Sequence, residues 1–129
     1  MAGSIPSGAV FTRISSTGRN DFVCQYRGSA GFYNPRMGCS CHYPFKGRER
    51  LGSPFQILVK TNSSEDLTWR SGSWGRVPNN SVTACSGGGV YVGRNRGGLG
   101  TVSVGLKAFR LPRNHREYRF RSYQVLTFN

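Results

Sequence analysis

Apolar and polar residues alternate in short runs along this chain, and each run ends within about ten residues at Gly, Pro, Asn or Ser. Runs rich in β-branched and aromatic residues are typical of strands, and no window of about 11 residues carries a sustained helical stripe. The segment 101–106 predicts a strand with Val102 and Val104 on one face and Ser103 on the other. The pattern therefore predicts an all-β fold. The predicted strands are Ala9–Ile14, Phe22–Tyr26, Cys39–Tyr43, Phe55–Lys60, Ser81–Ala84, Val90–Arg94, Thr101–Leu106, Glu117–Arg119 and Tyr123–Phe128.

Three blocks of this pattern occur twice, in the same order and about 70 residues apart. Ser-Ile-Pro near the N-terminus returns as Arg-Val-Pro at 76–78, Phe22-Val returns as Tyr91-Val, and Phe55-Gln-Ile-Leu returns as Tyr123-Gln-Val-Leu. This arrangement indicates an internal duplication. Because each copy is too small to hold a good core alone, we expect one domain with one shared core. Repeat 1 is predicted over about residues 1–66 and repeat 2 over about 67–129, joined by the polar segment 61–66.

The large aromatic residues are expected to fill that core. Trp69 and Trp74 follow the polar join, where plugging a shared core is the expected role and ligand stacking is the alternative. Tyr118 and Phe120 alternate with Glu117, Arg119 and Arg121, which predicts a buried aromatic face opposite an arginine-bearing one.

Charge narrows the possible partners. Lys and Arg total 18 against five acids, which gives a formal net charge of +13. Most of the cations are arginine, whose guanidinium fork suits phosphate, sulfate or carboxylate. Such a balance predicts attraction to polyanions and says nothing about the fold.

The densest basic stretch is 107–121, in which aromatic residues are interleaved with cations. Cations with aromatics are typical of a groove that holds nucleic acid or a sulfated glycan, and the alternative is a solvated strand face with core aromatics. Arg94, Arg96 and Arg27 could extend this surface. The residues predicted to bind a polyanion are Arg110, Arg113, Arg116, Arg119 and Arg121.

The cysteines favour a thiol or disulfide role over a metal site. Cys39-Ser-Cys41-His42 lacks the second ligand pair that structural zinc needs, so no metal or other cofactor is expected. In an oxidising compartment, Cys24 could pair with Cys39 or with Cys41, and the sequence does not choose. The chain has no convincing carboxylate pair and none of the common catalytic motifs, so we expect a protein that is not an enzyme.

No secretory signal or apolar run long enough to cross a membrane is visible. The default expectation is therefore a cytoplasmic protein without a membrane span. Unconventional export or processing of a longer precursor is the alternative.

The second half of the chain also carries a recognisable set of motifs. Trp69, then Gly75-x-Val-Pro-x-Asn-x-Val, then Val90-Tyr-Val-Gly-Arg, and finally Tyr123-x-Val-Leu resemble the DM-nine repeat of natterin-like proteins. The first half matches it more loosely, with Ile5-Pro-x-Gly-Ala-Val. The resemblance implies a compact, pseudo-twofold β-sandwich or barrel-like unit of short antiparallel strands. It also implies mannose-binding lectin activity, often in a homodimer.

In that family, an Asp before the Tyr-Val-Gly-Arg strand and a Lys in a later Pro-Gly-Lys-Val block contact the sugar, because one accepts and the other donates hydrogen bonds. This chain departs from the pattern: it has Ser86-Gly-Gly and Val104-Gly-Leu in repeat 2, and Thr17-Gly and Pro35-Arg-Met-Gly in repeat 1. The nearby residues expected to contact carbohydrate instead are Asp21, Arg36, Arg94 and Lys107.

Two functions fit these observations. The first is a lectin-like module that binds carbohydrate, with a preference for anionic glycans. The second is a structural or matrix protein that assembles with itself and holds a polyanion: sulfated polysaccharide, nucleic acid or a mineral such as silica. Binding to a neutral sugar should depend little on salt, whereas polyanion adhesion should weaken steeply as salt rises.

Overall fold

The computed structural model describes residues 5–60, 67–84 and 88–128, and within them the chain is almost entirely β-structure. The predicted join 61–66 and residues 85–87, which include Cys85, lie outside these residues. No described helix is long and apolar enough to cross a membrane. The first half contains β1 (Phe11–Ile14), β2 (Arg19–Tyr26), β3 (Ser29–Tyr33), a 3₁₀ turn (Pro35–Met37), β4 (Cys41–Phe45), β5 (Arg48–Gly52) and β6 (Gln56–Ile57). The second half contains β7 (Leu67–Ser73), β8 (Val90–Asn95), β9 (Gly98–Ser103), β10 (Ala108–Arg113), β11 (Arg116–Phe120) and β12 (Ser122–Phe128).

The described strands form two antiparallel sheets of six strands, which do not close into a barrel. In the first sheet the order is β1-β2-β3-β4-β5, and β6 also pairs with β2. In the second sheet the order is β11-β10-β9-β8-β12-β7. The series β5-β4-β3-β2-β6 and β11-β10-β9-β8-β12 have the same connectivity, so the sequence duplication reappears as a duplicated topology. The predicted all-β class is confirmed, and the sandwich-like alternative fits better than the barrel.

One buried cluster contains residues of both halves. Val23 and Phe32 of the first half lie in one buried cluster with Val92, Leu99 and Leu126 of the second. Burying each such side chain is worth about 1.5–3 kcal/mol, which neither half could obtain alone.

A buried hydroxyl links the central strands of the two sheets. The Oγ1 atom of Thr101 donates to the carbonyl oxygen of Ala30 at 2.7 Å and accepts from its amide at 2.9 Å. Both polar groups are therefore satisfied inside an apolar layer.

Two glycines at matching positions permit close strand contacts. A Cβ atom on Gly31 would collide with the backbone carbonyl oxygen of His42, and one on Gly100 would collide with that of Arg110. Gly31 lies on β3 beside β4, and Gly100 lies on β9 beside β10. The duplication thus extends to backbone approaches that only glycine allows.

One hairpin turn also occurs in both repeats. The β4–β5 turn places Lys46 and Gly47 at φ 52° and 79°, and the β10–β11 turn places Asn114 and His115 at φ 51° and 68°. Two consecutive positive φ values are the geometry of two-residue turns that match the twist of paired strands.

The C-terminal end of one predicted strand was wrong. The predicted strand 101–106 ends at Ser103, because residues 104–107 turn back with a hydrogen bond from the Lys107 amide to the Val104 carbonyl oxygen. Val104 is consequently exposed, although Val102 is fully buried.

Only some of the aromatic residues that were expected to fill the core do so. Trp69 packs against the shared core, but Trp74 is 59% exposed because it lies in the turn after β7. Phe109 is fully buried, whereas Tyr118 and Phe120 are exposed because β11 is an edge strand. The predicted buried aromatic face of this strand is therefore wrong.

A disulfide joins Cys24 of β2 to Cys41 of β4, with 5.9 Å between their Cα atoms. Cys39 is exposed and unpaired within the described part of the chain. The structure thus selects one of the two partners that the sequence left open.

Candidate functional site

Asp21, a predicted sugar contact, is fully buried on β2. Its carboxylate accepts from Nε and Nη2 of Arg19 at 3.1 and 2.8 Å, and from Nδ2 of Asn34 at 3.0 Å. The Oδ1 atom of Asn34 in turn accepts from the amide of Arg36 at 2.9 Å and caps the 3₁₀ turn. Asp21 therefore supports a turn from inside the protein and offers no surface to a ligand, while the side chain of Arg36 is exposed beside it.

Lys107 lies in the turn after β9, at φ 56°, and lines a shallow cleft of about 440 Å³ with Trp74, Arg76 and Val104. The guanidinium of Arg121 lies 4.6 Å from the Trp74 ring centre, and its Nη1 donates to the Lys107 carbonyl oxygen at 3.1 Å. The structure thus brings Lys107 and Arg121 together. Asp21 and Arg36, the two predicted sugar contacts of the first repeat, are linked to each other through Asn34.

Two of the five predicted polyanion contacts are held by one buried acid. Arg110 donates to Glu117 through Nε at 3.0 Å and Nη2 at 2.8 Å, and Arg119 donates through Nε at 2.9 Å. The Glu117 side chain is fully buried. Burial alone would raise the pKa of Glu117, but the hydrogen bonds from Arg110 and Arg119 outweigh it and lower the pKa below 4.5. One carboxylate thus holds both guanidinium groups and offsets one of their two charges, and the pairing of β10 with β11 places Arg110 opposite Arg119.

The remaining cations of this hairpin are at its tip. Arg113 and Arg116 pair across the β10–β11 turn, and both are exposed. No acidic group among the described residues pairs with either of them. We call Arg113 and Arg116 the basic tip.

A third acid with a largely buried side chain, Glu49, was not identified from the sequence. Glu49 accepts a 2.8 Å hydrogen bond with Nδ1 of His42, whose ring stacks on Phe32 with 4.4 Å between ring centres. Burial alone would raise the pKa of Glu49, but the bonds from His42 and from the His115 amide lower it. The repeated spacing of Pro44 and Glu49, and of Pro112 and Glu117, could have signalled this matching pair.

The two glutamates also connect the two hairpins. The amide of His115 donates to Oε1 of Glu49 at 2.7 Å, and the amide of Gly47 donates to Oε1 of Glu117 at 3.3 Å. The turn of each repeat thus donates a backbone hydrogen bond to the glutamate of the other repeat. This reciprocal contact is pseudo-twofold. His42, Glu49 and His115 also help to line a cleft of about 290 Å³.

Arg94, the last predicted sugar contact, sits in a different cleft of about 490 Å³ at the meeting of β1, β8 and β12. Its Nε donates to Oε1 of Gln124 at 2.8 Å, and its Nη1 donates to Oγ1 of Thr12 at 2.6 Å. Its guanidinium lies 4.4 Å from the ring centre of Trp69. Partial burial lowers the pKa of Arg94, since the charged form loses hydration. We call this space the Arg94 cleft; its other lining residues include Arg13, Ser15, Asn95, Arg96 and Ser122.

The described residues contain no group of three or more His, Cys, Asp or Glu side chains able to hold a metal ion. Within the Cys39-Ser-Cys41-His42 motif, Cys41 is bonded to Cys24 and His42 is bonded to Glu49. These two side chains therefore serve the structure.

Comparison with known proteins relates the chain to the natterins of Thalassophryne nattereri. It is 41% identical to Natterin-3 over 127 residues, covering 98% of this chain and 34% of that protein. It is 39% identical to Natterin-4 and 35% identical to Natterin-1, again over 98% of its own length. The chain thus belongs to a natterin-like family.

The predicted natterin-like resemblance is therefore confirmed over the whole chain. No family model matches it, so the DM-nine assignment rests on the motifs themselves. This natterin-like chain spans about a third of the length of the relatives it matches.

Proposed function

We propose that this natterin-like chain is a lectin-like binding module without enzymatic activity, and that its ligands are acidic glycans or other polyanions. One observation carries the proposal: the described acids are used inside the protein. Asp21 is bonded to Arg19, Glu49 to His42, and Glu117 to Arg110 and Arg119. These acids leave the exposed arginines of the basic tip without neutralising partners, and the net charge is +13.

The physical basis of binding is release of counterions by a repeating anion. Each sulfate, phosphate or carboxylate contacted by an arginine liberates condensed ions, so the affinity falls as salt rises. Arginine adds a bidentate geometry that matches these oxyanions. A polysaccharide that carries such groups would also offer hydroxyls to the Ser, Thr and Asn groups beside the arginines.

The second candidate is a self-assembling matrix protein. Exposed apolar side chains on the edge hairpin β4–β5 favour it: Phe45 is 43% exposed and Leu51 is 63% exposed. Edge strands with such residues are ready to pair with a second chain. Light scattering across a concentration series checks this: growth into large assemblies supports it, and a constant monomer or dimer mass contradicts it.

The proposed binding is tested with Arg113→Ser/Arg116→Ser and a matched control, Arg27→Ser/Arg70→Ser, which removes two exposed arginines elsewhere. We expect the tip variant to elute from heparin at lower salt. The slope of log affinity against log salt should become shallower by about one for each arginine–sulfate pair removed. The control should shift less. Equal shifts would show a diffuse charge effect in place of a site.

A glycan array read at low and high salt provides the second measurement. We expect sulfated or uronate-containing glycans to be retained at low salt and mostly released at high salt. Selective binding of neutral mannose that survives high salt would contradict the acidic preference. Absence of binding to every glycan and to heparin would refute the proposed function.

A further inference from the structure

The Arg94 cleft contains a cation whose position is fixed before any ligand arrives. Hydrogen bonds to Gln124 and Thr12 and the Trp69 ring hold the guanidinium in one orientation. Little side-chain entropy remains to be lost on binding, which favours affinity. The bonds to Gln124 and Thr12 use two of the five N–H groups of the guanidinium, so three remain for a ligand.

The charge of Arg94 has no counter-ion among the described residues. Its two hydrogen-bond acceptors, Gln124 and Thr12, are neutral. Partial burial weakens the hydration of the guanidinium and lowers its pKa. A cation that is partly dehydrated and lacks an acid is stabilised by an anion that enters from solution.

Two more arginines face the same space. Arg13 follows Thr12 on β1, and Arg96 follows Asn95 in the turn after β8; both line the cleft and both are exposed. The amide of Gly97 donates to Oδ1 of Asn95 at 2.8 Å, which shapes this turn. Three arginines therefore surround one concave space that also presents hydroxyl groups.

The first repeat provides an internal comparison. Its equivalent cleft is lined by Gln25 and Gln56, which occupy the register positions that Arg94 and Gln124 occupy in the second repeat. There Nε2 of Gln25 donates to Oε1 of Gln56 at 3.2 Å. A neutral glutamine thus meets the structural need at this position, and a guanidinium is not required to hold the strands together. The twin cleft contains one arginine, Arg27, against three in the Arg94 cleft.

We infer that the Arg94 cleft is a binding site for a single oxyanion, the sulfate or carboxylate of an acidic saccharide. Arg94 is the fixed donor at its base, Arg13 and Arg96 are the exposed cations at its rim, and Ser15 and Ser122 are placed for the sugar hydroxyls. This inference rests on the proposed preference for acidic glycans and assigns it one saturable site, separate from the basic tip.

The test is an NMR titration of the ¹⁵N-labelled chain with N-acetylglucosamine 6-sulfate, glucuronic acid, neutral N-acetylglucosamine and inorganic sulfate. We expect saturable shifts of the Arg94 Nε–H resonance with an acidic sugar and no saturation with the neutral one. Preference between the first two probes identifies the oxyanion. Equal affinity for inorganic sulfate would overturn the assignment to a saccharide, and unchanged Arg94 resonances with every probe would overturn the site.

The variant Arg94→Gln copies the residue of the first repeat, and Arg27→Gln in the twin cleft is its matched control. We expect Arg94→Gln to weaken binding of the preferred acidic sugar at least about tenfold and Arg27→Gln to leave it unchanged. Arg13→Gln/Arg96→Gln, which changes only exposed side chains, should weaken it about three- to tenfold and remains informative if Arg94→Gln lowers stability. Unchanged affinity in both rim and base variants would refute the site. Heparin retention of these variants separates this failure from failure of the proposed function, because retention through the basic tip would persist.

Discussion

Glu117 shows how one buried acid changes the number of arginines in a basic segment that are available to a ligand. It is the single acid in the densest arginine stretch, and its fully buried side chain holds Arg110 and Arg119. Arg113 and Arg116 at the hairpin tip pair with no acid among the described residues and are free to meet a ligand. The charge count of a segment is therefore a poor guide until its buried ion pairs are known.

Replacing Glu117 tests this ion pair. Glu117→Gln should lower the free energy of unfolding by about 2 kcal/mol, because two guanidinium groups lose their charged acceptor in a buried place. Arg119→Gln is the matched control and should cost under about 1 kcal/mol, since Arg119 is half exposed and Arg110 stays paired. Urea unfolding at neutral pH measures both; equal costs would contradict this account.

Glu49 and Glu117 are expected to make the stability of the fold depend on pH in the acid range. The folded pKa values of Glu49 and Glu117 are lowered from 4.5, so the unfolded chain binds more protons in that range. Their stabilisation is complete above about pH 4.5 and is lost as pH falls through the lowered values. Glu117→Gln should show a shallower acid decline than the wild type, and parallel curves would exclude the coupling.

Glycine at position 100 makes a prediction of the steric kind. Gly100→Ala places a Cβ atom against the Arg110 carbonyl oxygen, and we expect a loss of about 3 kcal/mol because the β9–β10 pairing must open. Gly105→Ala is the control, since nothing lies within 4 Å of its added Cβ atom. Thermal unfolding of both variants decides it. A stable Gly100→Ala variant would mean that these strands separate easily.

Among the elements, some strands could be predicted from the sequence and others could not. Strands β8 and β12 were predicted nearly to their ends, because β-branched and aromatic residues dominate them. Strand β5 was missed since Arg48-Glu-Arg-Leu carries charges to an exposed edge, and β10 was missed because Pro112 interrupts its pattern. Local pattern does not report such strands, whose partners are supplied by the hairpin.

The candidate sites depended on pairing that no local signal contains. The basic stretch was visible, but the capture of Arg110 by Glu117 depends on the register of β10 and β11. Burial of Asp21 depends on Asn34, which approaches from the far end of β3. The Arg94 cleft needs Thr12 from the other half of the chain. The sequence therefore showed which charged side chains the protein has, but it did not show which of them can reach a ligand.

The disulfide between β2 and β4 gives a prediction at the element scale. It closes a segment with a sequence separation of 17, for which chain entropy suggests about 3 kcal/mol of stabilisation. Cys24→Ser/Cys41→Ser, or reduction of the wild type, should lower the thermal midpoint. Cys39→Ser should not, because Cys39 is exposed and makes no disulfide with a described residue. Identical midpoints with and without reductant would show that the bond adds no stability.

At the scale of the whole molecule, the two halves share one scaffold and differ in the side chain at the proposed binding position. The two halves repeat their strand order, their close glycine contacts and their hairpin turns, yet Gln25 of one half stands where the other has Arg94. The side chain at this position thus differs between the copies while the strand arrangement around it is the same. The proposed acidic-glycan site lies at a position where the copies differ.

The reciprocal turn contacts carry a consequence for the origin of such a chain. Glu49 takes an amide from the turn of the second half, and Glu117 takes one from the turn of the first. A lone half would bury a glutamate with a missing donor, and a second identical half, rotated by two-fold symmetry, would supply it. The two halves of the chain are thus placed as two subunits of a symmetric dimer would be, and we expect a half expressed alone to regain this arrangement only by pairing with itself.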